Sequence, residues 1–326
     1  MTALLLRYRR EFAVLAVYLL LLASLLFIRP DFFDRQFFDT WLSAGPVLVM
    51  SVGMSLVIIA RQIDISVGAQ LSTCAVLTAL VHRAGVPMPL VVLLSVACGA
   101  AFGAFNGLLV AWLRLPAIVV TLATAVILAD TMTWARAGEA VGGLNNFQWF
   151  GLSQTAGEIA LISTTAIVFA IGVWAMRFLA AGRAVYAVGS DAEAARLAGV
   201  RPVRVTFWVF VLAGALTGLA ATLHAVRQSS VATTLGQDWE LKVIAAVVVG
   251  GTAITGGRGT LFGTLIGVAL LTTIRPALSF WGLSPNWEKA AQGTIILLAV
   301  GSEVLLRARR GERLQRDTGV PPVRAM

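Results

Sequence analysis

The sequence predicts an all-α polytopic membrane protein of about ten transmembrane helices, with one short polar helix between two spans and broken or re-entrant elements. Three observations carry this. The chain has 326 residues, of which 58% are hydrophobic and 13% charged, whereas a soluble domain carries about 25% charged residues. Mean hydropathy is +0.86. The apolar residues also gather into runs of bilayer-crossing length, separated by short polar joints, and roughly 20 apolar residues suffice to cross a hydrocarbon core.

The runs fall near 11–28, 40–60, 66–82, 88–113, 117–135, 158–179, 204–225, 240–256, 261–279 and 288–306. The first comes after Arg7-Tyr-Arg-Arg10, the outline of a signal peptide. No small-x-small cleavage site ends it; Phe27-Ile-Arg-Pro30 stands there instead, so the segment reads as an uncleaved first span. The eighth run is short and glycine-rich, which suits a broken or re-entrant element. Residues 1–10 then form a cytoplasmic N-terminus, 11–306 the membrane domain and 307–326 a basic cytoplasmic tail carrying Arg307, Arg309, Arg310, Arg313 and Arg316.

Charge sets the orientation. With the N-terminus inside, the cytoplasmic side holds 17 Arg, and the outer side six Arg plus Lys242 and Lys289. Such an excess agrees with the positive-inside bias. The expectation is a multi-pass membrane protein with both termini in the cytoplasm. The formal charge of +9 could suggest nucleic acid, but 23 of the 25 basic residues are arginines gathered in loops and at the ends. The tail is expected to meet anionic lipid headgroups.

Between the sixth and seventh runs the chain writes Gly182-Arg-Ala-Val-Tyr-Ala-Val-Gly189-Ser-Asp-Ala-Glu-Ala-Ala-Arg-Leu-Ala-Gly199. Ser190 and Glu193 fit a capping box around a helix at 191–198, and Gly199 sits where a C-terminal glycine would. Eight residues span roughly 12 Å, and helices under about 12 residues are marginal alone. A partner must hold it, so this helix suits a part pushed by another protein. Asp191, Glu193, Ala195 and Arg196 lie on it. Its alanines keep it slim enough to enter a cleft, and Glu193 and Arg196, three apart, would pair or meet a partner's rim.

Several chemistries lack their residues in this sequence. A Walker A loop needs Lys after its second glycine; in Gly251-Thr-Ala-Ile-Thr-Gly256-Gly-Arg258 that position is Gly257, so the segment reads as a tight turn between two spans. There is no His-Glu-x-x-His and no G-x-S-x-G. Cys74 and Cys98 lie in apolar runs and read as small core residues; His82 and His224 offer no ligand spacing. Neither a metal nor a cofactor is expected, and the chain is read as non-catalytic.

The pathway candidates are Asp64, Ser66, Asn106, Asp130 and Arg275. Asp64 and Ser66 interrupt two apolar runs in Arg61-Gln-Ile-Asp-Ile-Ser-Val-Gly68. They either start the next helix as caps or belong to a broken-helix element lining a cavity. Asn106 lies among small residues in Gly103-Ala-Phe-Asn-Gly107, where it either bonds a neighbouring helix or lines the pathway. Asp130 and Arg275 sit near the outer interface, or they face water or each other. The outer loop 142–151, with Asp238 and Glu240, is either an interfacial belt or a docking surface for a soluble partner.

The segments Arg61–Gly68, Leu115-Pro-Ala-Ile-Val-Val-Thr-Leu122, Gly182–Gly189, Ala245-Ala-Val-Val-Val-Gly-Gly-Thr252 and Gly256-Gly-Arg-Gly-Thr260 recur together in a known family. The chain resembles the permease subunits of bacterial ABC sugar importers of the ribose, xylose and arabinose type, and within them the rhamnose and furanosyl autoinducer permeases. Arg61-Gln62 stands where that family commonly has Gly-Gly. The resemblance implies a permease homodimer or heterodimer, two ATP-binding cassette ATPase subunits, a periplasmic sugar-binding protein and a small sugar as cargo. It also implies that Ser190–Gly199 is a coupling helix seated in the ATPase. A self-sufficient carrier driven by an ion gradient is the alternative, and it would need embedded carboxylates for which Asp130 alone is a candidate.

Overall fold

The computed structural model describes residues 9–144, 151–298 and 301. Positions 145–150 of the outer loop, residues 302–306 of the last run and the basic tail lie outside the described residues.

Among the described residues, twelve helices occur in order: α1 (Arg9–Ile28), α2 (Arg35–Ile59), α3 (Val67–Arg83), α4 (Met88–Ala111), α5 (Ala117–Ala135), α6 (Gln154–Phe178), α7 (Ala180–Ser190), α8 (Ala192–Leu197), α9 (Pro202–Ala225), α10 (Trp239–Val249), α11 (Leu261–Phe280) and α12 (288–298 as described). Proline marks several starts. Pro87 and Pro116 are the caps of α4 and α5, and Pro202 is the first residue of α9. A helix tolerates proline there because its first N–H groups lack intrahelical acceptors anyway.

Among the described residues, seven helices are long and apolar enough to cross a membrane: α1, α2, α4, α5, α6, α9 and α11. The sequence predicts about ten, and the difference lies in three elements. Helix α3 has 17 residues, α10 has 11, and only part of α12 is described. The eighth run departs most from expectation. Its helix stops at Val249, and residues 250–260 form a turn in which Gly251, Gly256 and Gly257 take φ of 97°, 81° and 70°.

Helix α2 is the central post: 89% of its span is buried within the molecule, against 11% for α1 and 17% for α5 and for α6. The poorly buried apolar helices are the ones a bilayer would cover. The closest helix pair is α4 with α9. Ser95, Gly99, Gly103 and Gly107 recur every four residues on α4, and Phe210, Gly214 and Gly218 do so on α9. A Cβ on Gly99 would collide with the Gly214 carbonyl, and one on Gly103 with that of Phe210. Ser95 Oγ donates across the seam to the Gly218 carbonyl at 2.7 Å. Small residues let two backbones approach closely, the usual basis of helix association in lipid.

A two-stranded antiparallel ladder is the sheet found among the described residues. Strand β1 (Val141–Gly142) pairs with β2 (Ser230–Val231), Val141 facing Val231. Leu144 N–H also donates to the Ser229 carbonyl at 3.1 Å. These bonds tie the segment after α5 to the irregular stretch 226–238 that precedes α10.

Candidate functional site: a capped lever and a buried polar lock

The stretch between α6 and α9 is two helices, not one. Residues 180–190 form α7, whose Val185 and Val188 are buried and whose Tyr186 hydroxyl donates to the Gly259 carbonyl at 2.8 Å. Ser190 is therefore the last residue of α7 and does not cap the next helix. The chain extends at Asp191 (φ −158°, ψ 107°), and Asp191 Oδ1 accepts from the N–H groups of Glu193 at 2.9 Å and Ala194 at 3.0 Å. Asp191 displaces Ser190 as cap because α7 has already taken up Ser190. The capping box is absent, and α8 has six residues in place of the expected eight.

The far end of α8 closes as a Schellman motif. Gly199, at φ +85°, donates to the Arg196 carbonyl, and Val200 donates to that of Ala195, both at 3.0 Å. Glu193 turns away from the cap to grip Arg196, with Nε–Oε2 3.0 Å and Nη2–Oε1 2.5 Å. The Arg196 guanidinium holds the Glu193 carboxyl below the ordinary carboxylate range.

One assignment on this helix changes. The sequence places Ala195 on the face that meets a partner, but it is 5% exposed and packs into this chain, while Leu197 is 78% exposed. Asp191, Glu193, Ala194 and Arg196 are exposed beside it. A signal for Leu197 exists in the sequence: it is the sole large apolar residue in Ala192–Leu197.

The root of the lever is a three-way backbone junction. Gly257 N–H donates to the Ile59 carbonyl at 2.8 Å, joining the turn 250–260 to the end of α2. A Cβ on Gly189 would collide with both of those groups, and one on Gly257 would collide with Ser190. Displacement of α7 and α8 therefore bears directly on α2 and on the α10–α11 turn.

Asp64, Ser66 and Asn106 come together in a second site, fully buried between the 60–66 loop, α3, α4 and α5. Asp64 Oδ1 accepts from Ser66 N at 2.9 Å and from Ser66 Oγ at 2.5 Å. Ser66 Oγ in turn accepts from Gln70 at 2.7 Å and from Asn106 at 2.9 Å. Thr124 donates to Asn106 Oδ1 at 2.7 Å. Gln70 and Thr124 carry no distinguishing signal in the sequence; only tertiary contact brings them in. Ser66, the N-cap of α3, makes no side-chain capping bond, whereas Asp64 Oδ1 takes the Ser66 N–H at the entry to that helix. Upstream, α2 ends with Arg61 at φ +64° and Gln62 N–H on the Val57 carbonyl at 2.9 Å, a left-handed cap built without glycine.

Asp130 and Arg275 stand apart from this group and are exposed. Arg275 lies 3.8 Å from Glu288, which also takes Lys242 at 3.4 Å. Nearby, Lys289 bonds Asp238 at 2.5 Å. On the α2–α6 side, Arg35 links Asp39 at 3.2 Å with the buried Glu158 at 2.5 Å. Among the described residues no group of three His, Cys, Asp or Glu side chains is placed to hold a metal ion.

Residues 36–300 match a family model described as "Branched-chain amino acid transport system / permease component". The chain is similar to the autoinducer 2 import system permease protein LsrC of Escherichia coli (strain K12 / DH10B), 32% identical over 305 residues, covering 91% of this chain and 89% of that one. The protein of that name from Shigella flexneri matches with the same identity and coverage. The ribose import permease protein RbsC of Escherichia coli (strain K12) is 33% identical over 288 residues, covering 86% of this chain and 90% of that one. No solved structure matches the chain.

Proposed function

Because the chain belongs to the branched-chain amino acid transport system / permease component family, we propose that it is the membrane-spanning permease of an ATP-driven importer for a monosaccharide or related small polyol. Its apolar helices make it a multi-pass membrane protein. Helices α3 and α12, with α10 preceded by the irregular 226–238 stretch, complete ten passes, an even number that leaves both termini on the cytoplasmic side of the inner membrane. Arg183, Arg196, Arg201 and Arg204 support that orientation.

The observation that carries the proposal is the α7–α8 lever: rooted by Gly189 against Ile59 and Gly257, capped by Asp191, and ending in an exposed Leu197. Two ATPase subunits closing on ATP would grip α8 around Leu197 and pull on α2 and the 250–260 turn. The permease would supply no energy itself. A second permease copy or a paralogue completes the pathway, and a soluble sugar-binding protein docks on the outer side. An ion-gradient carrier is disfavoured by membership in a family of transport-system components.

The substrate class rests on the similar chains, which are named for ribose and autoinducer 2 import.

Co-purification with the cognate ATPase subunits tests the lever. Leu197→Glu should insert normally yet lose ATPase co-elution and sugar uptake. Wild-type-like uptake by that variant, or uptake by the chain alone under a proton gradient without ATP, would contradict the reading. Calorimetry of the cognate binding protein against pentoses, deoxyhexoses and furanosyl compounds identifies the cargo.

A further inference from the structure

Beside α8, where Ala192, Glu193 and Arg196 line it, a cavity of about 540 Å³ opens between the lever, the α4–α5 turn and the start of α9. Ligand pockets commonly run about 300–1,000 Å³. Its polar lining is Gln62, Arg114, Glu193, Arg196 and Thr206, and the rest of the lining is apolar, with Val110 and Val203 among the contributors.

The charge of this cavity is unbalanced. Arg196 is satisfied by both Glu193 oxygens, whereas the Arg114 guanidinium has no hydrogen-bond or ion-pair partner among the described residues. Arg114 is also held at φ +56°, a left-handed conformation that costs a non-glycine residue about 1–2 kcal/mol. Such positions cluster at ligand clamps.

The surroundings place the cavity at headgroup depth. Trp112, two residues before Arg114, meets Phe207 edge-on at 4.8 Å, and Phe207 meets Trp208 at 5.5 Å. Tryptophans concentrate at the membrane–water interface. From the turn, the apolar faces of α4 and α5 run into the bilayer, with Leu108, Leu113, Ile118, Val119 and Leu122 each about half exposed.

We propose that this cavity binds the headgroup of an anionic phospholipid, its phosphate at Arg114 and its acyl chains along the exposed faces of α4 and α5. The assignment rests on the reading that α8 faces the cytoplasm, the side where basic pockets between spans meet anionic lipids. The free cation selects the phosphate, the apolar part of the lining favours a lipid over a soluble phosphate, and contact with α8 would make lever position sensitive to the occupant.

Native mass spectrometry of the full-length protein in detergent, with phosphatidylglycerol and phosphatidylcholine of equal chain length, tests this. One phosphatidylglycerol should be retained with about tenfold preference, equivalent to about 1.4 kcal/mol. Arg114→Gln should abolish the preference, and Arg114→Lys should keep most of it. Arg83→Gln, which removes an equal charge outside the cavity, should leave it unchanged. Equal retention of the two lipids, or loss of the preference in Arg83→Gln as well, would overturn the assignment. Saturation by glycerol 3-phosphate would make the site one for a soluble phosphate, and loss of the lipid on adding ATPase subunits would make it the partner's seat; either outcome refutes the proposal. The measurement has no sidedness, so its failure is distinguishable from a failure of the topology.

Discussion

At Arg61 a left-handed backbone is imposed on a residue with a β-carbon, φ +64° at the end of α2. The 60–66 loop needs that turn to carry Asp64 into its buried site, so the hydrogen bonds of Asp64 and Ser66 hold the conformation in place. Arg61→Gly removes a steric cost of about 1–2 kcal/mol and should raise the thermal midpoint by a few degrees, read by fluorescence-detected size exclusion after heating. Gly189 stands opposite: its position has no room for a side chain because the Ile59 carbonyl and the Gly257 N–H occupy it. Gly189→Val should lose folded protein, overpacking that costs about 1–3 kcal/mol or more. The Glu193–Arg196 pair is a different case. The folded-state pKa of Glu193 is lowered, so whatever stability the pair adds is present at neutral pH and lost as pH falls through that lowered value. Both side chains are about two-thirds exposed, and exposed pairs contribute little. Glu193→Gln should leave the midpoint at pH 7 unmoved.

Among the elements, two kinds of packing hold the spans together. The α4–α9 seam is backbone against backbone, and Gly103→Leu should separate the helices and abolish insertion-competent folding, measured as monodisperse yield. The buried lock is polar. Asn106→Leu removes the donor to Ser66 and the acceptor for Thr124; Ser66 keeps Asp64 and Gln70, and Thr124 keeps the Val120 carbonyl, so the variant loses two bonds worth about 0.5–1.5 kcal/mol each. Its midpoint should fall clearly below that of Asp130→Asn, which touches an exposed residue. The long spans are legible in the sequence because an apolar run of bilayer length admits few other readings. Helix α7 is not legible as a helix. Its Gly182 and Gly189 read locally as breakers, yet both are required by close approaches, to Met176 and to Ile59, that no local pattern reveals. The same blindness moves the cap of α8 from Ser190 to Asp191. The short α10 is half legible: the glycines of 250–257 announce a turn, but not that the helix stops at Val249.

Taken whole, the molecule is a buried post, α2, ringed by apolar helices, with one lever attached at a glycine junction. Residue types foretell the long apolar helices, seven of which among the described residues are long and apolar enough to cross a membrane. They cannot foretell that Asp64, Ser66 and Asn106 meet, with Ser66 and Asn106 40 residues apart, nor that Ala195 turns inward while Leu197 turns outward. Those facts belong to the assembled chain. The proposed mechanism stands or falls on an external motor gripping α8 from the cytoplasm. Thiol labelling of Ala194→Cys, with Cys74 and Cys98 replaced by alanine, decides it. The expected outcome is no labelling by an impermeant maleimide in intact cells, labelling after permeabilisation, and protection by the assembled ATPase subunits. Labelling in intact cells would contradict the mechanism.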